Sequence, residues 1–169
     1  SVEPNDDHTQ WTINLREGVK FHNGNDFNAD DVRFTIERLL EEDSVWSERN
    51  IIDRVEVQDE YTVDIITQKP YAAFMTRIVL LHMTDEEYVT EVGADGMASQ
   101  PMGTGTFEFV EWIKDEQLVF EANPDYWGGS PKLQTVIFRP IPETATRIAA
   151  LEAGDADIMT DVPPDYVAQ

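Results

Sequence analysis

The stretch Trp11-Thr12-Ile13-Asn14-Leu15-Arg16-Glu17-Gly18-Val19-Lys20-Phe21-His22-Asn23-Gly24 sets the reading of the whole chain. Trp11, Ile13 and Leu15 alternate with polar residues at period two, the signature of a half-buried strand. Arg16-Glu17-Gly18 reads as a turn. Val19 and Phe21 resume a short strand, and His22-Asn23-Gly24-Asn25 turns again.

C-terminal to that stretch, Asn28 opens a helix. Its side chain can cap the amide of Asp31, whose carboxylate can reach back in a capping box. Asp30 and Asp31 sit at the positive end of the helix dipole. Val32, Ile36, Leu39 and Leu40 form one apolar stripe, and Glu41-Glu42-Asp43 ends the helix in solvent. Val55 and Val57, then Tyr61, Val63 and Ile65 after Gln58-Asp59-Glu60, predict a β-hairpin. Pro70 stops its second strand. Residues 71–81 read as helical and 93–100 as loose, and residues 1–10 are polar and read as loose too. A second unit begins near Pro101. It has strands over 106–113, 117–122 and 136–138, and a helix over 143–153 with Ile148 and Leu151 inward and Gly154 as its stop. Asp157-Ile158-Met159 reads as a further strand, and Pro163-Pro164 opens a new segment. The fold class is α/β (mixed α+β), with units 1–100 and 101–169; residues 101–169 do not close a core of their own.

Composition narrows the function. The chain has 34 acidic and 12 basic residues, a formal charge of −22, which repels phosphate backbones and speaks against nucleic acid as a partner. The acids are spread along the chain among 10% aromatic residues, as on a folded acid-coated surface rather than a disordered tail. That charge fits adaptation to high salt and fits an ordinary acidic exported protein equally. Cysteine is absent, which excludes disulfides and thiolate metal sites. No apolar run is long enough to span a membrane, and no signal peptide is visible.

Five segments, in order, resemble the family 5 (cluster C) extracellular solute-binding proteins of ABC importers, the oligopeptide-, dipeptide- and nickel-binding receptors. The opening stretch is similar to that family's W-x-F-x-L-R-x-G-V-K-F-H-D-G block, and residues 27–32 resemble F-T-A-x-D-V. Pro101-Met102-Gly103-Thr104-Gly105-Thr106-Phe107 resembles P-V-G-T-G-P-Y. Asn123-Pro124-Asp125-Tyr126-Trp127-Gly128-Gly129-Ser130-Pro131 resembles N-P-D-Y-W-G-G-x-P, and residues 150–158 resemble A-L-x-x-G-E-x-D-I. Asn23 departs from the usual Asp, and Thr106 from the usual Pro.

The resemblance implies part of a periplasmic-binding-protein type II fold, a two-lobed receptor of roughly three times this length. Residues 1–100 would be the family's extra α+β domain and 101–169 an incomplete portion of lobe 1. It implies capture of a peptide, or of a nickel complex, sugar or opine, and delivery to ABC permease subunits. The place would be extracellular, periplasmic or cell-surface anchored, with membrane association only through an N-terminal anchor outside this chain or the permease. The rival is a receptor-like sensor domain of a transcriptional regulator. No cofactor is expected, and no catalytic residue: no nucleophile elbow, zincin helix or nucleophilic Cys exists.

Gly103-Thr104-Gly105 lacks the Lys-Ser/Thr ending of a phosphate loop and reads as a crossover turn using positive φ. His8, His22 and His82 have no metal-ligand spacing. Asp155 and Asp157 read as turn caps rather than a catalytic pair. Tyr126 and Trp127 read as a plug anchoring their loop, and Trp11 and Trp112 as core. The candidate ligand-binding residues are Tyr71, Phe74, His82 and Met83, in the segment that lines the cleft of nickel-binding relatives.

Overall fold

A computed structural model describes residues 1–41 and 50–166. Two sheets organise it: a four-stranded antiparallel sheet in the order β1-β2-β4-β3 and a three-stranded one in the order β5-β6-β7.

In the first sheet, β2 (Gln10–Asn14) lies between β1 (Val2–Pro4) and β4 (Thr62–Thr67), and β3 (Ile52–Asp59) closes the far edge. Trp11 faces Ile65 and Ile13 faces Val63, so the period-two alternation of β2 puts its apolar side chains on one face. The hairpin expected from Val55 to Ile65 is present. Its turn is Glu60-Tyr61, fixed by the Tyr61 amide donating to Asp59 Oδ1 at 2.9 Å. Residues 1–10, expected to be loose, contribute β1; Pro4 is tolerated because β1 is an edge strand whose outer side needs no donor.

Helix α1 (Ala29–Leu40) covers that apolar face, starting at the expected cap. Asn28 Oδ1 accepts from the Asp30 amide at 2.8 Å, and Asp31 Oδ2 accepts from the Asn28 amide at 2.9 Å, closing the capping box. Ala29, Val32 and Ile36 pack with Trp11, Ile52, Val63, Ile65 and Phe74 in one core. Ile36, Val63 and Ile65 are 0% exposed, each a burial worth about 1.5–3 kcal/mol. Glu42 and Asp43, expected at the helix end, lie outside the described residues.

Several expectations need correction. Val19 and Phe21, expected in a short strand, are buried but form none: among the described residues the pairing there is a single bridge between Lys20 and Asp26, because the Gly24 turn leaves no room for a ladder. The helix expected over 71–81 contracts to α2 (Phe74–Ile78). Of residues 93–100, expected to be loose, 93–99 belong to α3 (Glu86–Ser99), capped by Asp85 and kinked at Gly93, where φ 73° and ψ 179° break the helical path.

The second sheet holds β5 (Phe107–Ile113), β6 (Gln117–Ala122) and β7 (Thr135–Phe138). A register shift between Phe109 and Glu111 marks a bulge at Val110, which brings Trp112 onto the face of Phe109. Phe109, Phe120 and Phe138 stack edge-to-face along that face, at 6.2 and 5.9 Å. Nothing among the described residues covers it: Trp112 is 63% and Phe138 59% exposed, which corrects the reading of Trp112 as core.

Helix α4 (Thr144–Ala153) ends at Gly154 in the left-handed region, φ 78°, as expected. Its Leu151 is exposed and Ile148 only half-buried, because no layer of the described residues packs over the helix. Residues 157–159 form no strand and Ile158 is 85% exposed; a strand needs an adjacent edge, and among the described residues none lies beside it. A single 3-10 turn spans Pro164–Tyr166.

Candidate functional site

The segment that follows β4 carries the four residues singled out from sequence. Thr67 anchors its start, Oγ1 donating to the Lys69 carbonyl at 2.8 Å. The Tyr71 amide donates to the His8 carbonyl at 2.9 Å, and its half-buried ring packs against the core. Phe74 then turns inward. It is 2% exposed and stacks on Trp11 with centroids 5.0 Å apart, so its ring has no surface for a solute; the strand-to-helix corner directs it into the core. Met75, Val79 and Leu80 point out, Val79 being 70% exposed. His82 is exposed, while Met83 is half-buried against the core. Among the described residues no hydrogen bond or ion pair joins Tyr71, His82 and Met83. The outward-facing set is therefore Met75, Val79, Leu80 and His82, with Tyr71 and Met83 at its base. Sequence reasoning missed Val79 and Leu80, although the unbroken Val79-Leu80-Leu81 run was the available sign.

Two buried acids hold the segment's far end. Asp85 caps α3 by accepting from the Tyr88 amide at 2.9 Å, and its other oxygen accepts from Asn23 and Asn25. Asp31 accepts from the Glu86 amide at 3.0 Å through the oxygen its capping box leaves free. Burial pushes the Asp31 carboxyl above the usual carboxylate range, backbone hydrogen bonds from Glu86 and Asn28 oppose the shift, and the charges of Asp85 and Glu86 add to it. Thr35 Oγ1 takes the Thr84 amide at 2.9 Å, tying the same end to α1.

Between the sheets, the Gly103-Thr104-Gly105 crossover does not use positive φ at either glycine, contrary to expectation; instead its carbonyls serve as acceptors. The His22 amide donates to Gly103 O at 2.9 Å and His22 Nε2 lies 3.0 Å from Gly105 O. Trp127, expected to plug its loop into the second unit, is 48% exposed and lies under the Arg16 guanidinium, 4.5 Å from the ring centroid. Beside it, a Cβ at Gly128 would meet Tyr126 Cε1 at 2.6 Å, so any larger residue there displaces the Tyr126 ring.

Asp155 and Asp157 are exposed, and the Asp155 amide closes α4 on the Ala150 carbonyl at 2.8 Å. Among the described residues no three His, Asp or Glu gather as a metal site, and no helix is long and apolar enough to cross a membrane.

The model of the bacterial extracellular solute-binding proteins, family 5 Middle, matches residues 1–169. The chain is 31% identical to the glutathione-binding protein GsiB of Pectobacterium atrosepticum, over 96% of this chain and 33% of the relative. It superposes on the PBP AgaA of A. tumefaciens R10 in complex with agropinic acid with TM-score 0.90 and 29% identity, covering 99% of this chain and 35% of that one. It superposes on the ABC transporter-associated periplasmic binding protein DppA of Helicobacter pylori in complex with the peptide STSA with TM-score 0.81 and 30% identity, covering 92% and 35%. The chain thus spans about a third of the length of the curated relative it matches. With a family model matched from end to end and the same fold in solved relatives, this chain belongs to the family 5 bacterial extracellular solute-binding proteins.

Proposed function

We propose that the protein carrying this chain captures a small peptide or a related solute outside the cytoplasmic membrane and passes it to the permease of an ABC importer, without altering it. The end-to-end family match carries this reading. One relative is named for binding glutathione and two solved relatives hold agropinic acid and the peptide STSA, which favours capture over a regulator's sensor domain and over hydrolysis. Receptors of this kind close around a solute and bury it from both sides. Within this chain the 71–83 segment is the best-placed wall: Tyr71, His82 and Met83 offer an aromatic, an imidazole and a thioether, and Met75, Val79 and Leu80 are exposed beside them. Phe74 supports that wall from the core. The units 1–100 and 101–169 are the extra domain and the lobe portion of such a receptor.

The test is native mass spectrometry of the full gene product incubated with an equimolar pool of glutathione, dipeptides and tripeptides. A one-to-one adduct with the solute's mass intact supports capture. Free protein together with hydrolysed pool members would replace the receptor by a peptidase.

A further inference from the structure

Two sequence blocks more than eighty residues apart meet at the boundary between the sheets. His22, in the turn after the first block, touches the crossover twice, amide to Gly103 O and ring to Gly105 O. With a carbonyl as its partner, Nε2 carries the hydrogen and donates. Gly105 O also accepts from Asn123 Nδ2 at 3.0 Å, and the 5% exposed Asn123 holds the start of the Tyr126-Trp127 loop by accepting from the Asp125 amide at 2.9 Å. Trp127 at the end of that loop returns to the first unit under Arg16. The path closes on itself: unit one to crossover, crossover to loop, loop to unit one. On its other side the same turn is tied to Asp85 by Asn23 and Asn25, and Asp85 follows the exposed 75–82 segment by a few residues.

We propose that His22 and the Arg16–Trp127 stack form a latch that holds the four-stranded unit at a set angle on the three-stranded unit, and so positions the 71–83 segment for solute. Only the last clause rests on the solute-binding reading. His22, Arg16 and Trp127 are positioning residues; none of them needs to touch the solute.

The 169 residues contain no cysteine, so paired spin labels can be placed at Glu37→Cys on α1 and Glu116→Cys in the β5–β6 turn, both exposed. Any cysteine elsewhere in the full gene product is changed to serine. The latch predicts one narrow distance distribution in the otherwise native protein, and a broadened or shifted one in His22→Ala and Trp127→Ala. His22→Gln, which keeps a donor at similar reach, restores the narrow distribution, and Trp127→Phe, which keeps a ring under Arg16, does so in part. Arg16 is exposed, so Arg16→Ala disturbs no core and serves as the readout if His22→Ala does not fold. Wild-type distributions in Arg16→Ala and Trp127→Ala, or a Gln variant no better than Ala, would overturn the latch. Solute affinity is the second arm: about fivefold weaker in His22→Ala and near native in His22→Gln, the size of effect one hydrogen bond carries. Unchanged affinity beside a broadened distribution would overturn the positioning role. The distance arm reads out even if no peptide binds, so failure of the latch and failure of the receptor reading are separate results.

Discussion

Asn23 Nδ2 donates to Asp85 Oδ2 at 2.7 Å, joining two residues 62 positions apart. Asp85 is 1% exposed, and its buried charge is met by three donors: Asn23, Asn25 and the Tyr88 amide. A buried carboxylate is tolerated on that condition. Asn23, where the chain departs from the Asp of the motif it resembles, is therefore one of the three groups that answer Asp85.

Asn23→Asp places a second carboxylate against the first. The expected result is a loss of about 2 kcal/mol at neutral pH, from one lost charge-assisted hydrogen bond and the new repulsion. Asp85→Asn added to Asn23→Asp recovers part of the loss: donor and acceptor are exchanged between positions 23 and 85, while Asn25 Nδ2 loses the oxygen it donates to. Urea denaturation of the single and double variants checks this; independent, additive losses would contradict the pairing.

Asp31 carries a pH signature. Its folded carboxyl is held above its ordinary value of 3.8 by burial, so the fold takes up this proton at higher pH than the unfolded chain. Stability from this group therefore rises as pH falls through the raised value, levels off below 3.8, and is lowest above the raised value. Asp31→Asn removes that acid-side gain. It also costs about 1 kcal/mol at neutral pH, because both carboxylate oxygens accept backbone amides and an amide side chain offers only one acceptor. Thermal melts of both proteins from pH 7 to pH 4 give the comparison, and parallel pH profiles would contradict the assignment.

Salt should stabilise the protein. The charge of −22 is set against few cations, and the described ion pairs, such as Lys20–Asp26 and Arg54 with Asp53 and Glu56, are all substantially exposed. Exposed pairs contribute little, whereas screening relieves the repulsion among the remaining acids. The melting midpoint is expected to climb from low to molar KCl; a flat or falling midpoint would reject the account of the charge.

Phe74 and His82 separate core from surface within one segment. Phe74→Ala opens a cavity against Trp11 and should cost about 3–5 kcal/mol. His82→Ala, at an exposed position, should stay within about 0.5 kcal/mol of native stability while weakening solute binding. Equal loss of stability in both, measured by chemical denaturation, would contradict the placement of the segment.

Local chemistry made some elements legible and left others hidden. The Asn28–Asp31 capping box and the Val32–Ile36 stripe announce α1, and alternation from Trp11 announces β2, because both signals are short-range. Helix α3 was hidden by Gly93, although Asp85 followed by Glu86 and Glu87 is a readable N-terminus. Strand β1 was hidden because three residues ending in Pro4 carry no period; only its partner β2 defines it. Trp112 and Asp157-Ile158-Met159 show the opposite error: an apolar residue in a strand pattern says which face it takes, but not whether a layer covers it or an edge pairs with it. The candidate wall at 71–83 rests on resemblance, and the exposure of Val79 and Leu80 is visible in the structure alone. The meeting of His22 with Gly105 spans 83 residues, a contact that no local pattern encodes.

Isothermal titration of the full gene product with glutathione and a panel of dipeptides and tripeptides tests the receptor reading most directly. The account predicts saturable one-site binding of at least one of them with a Kd of ~1 μM or tighter, no chemical change in the recovered solute, and no measurable heat from residues 1–169 alone, since closure must supply contacts from a second lobe. No saturable binding by the full gene product across the panel, or binding as tight by residues 1–169 alone, would contradict it.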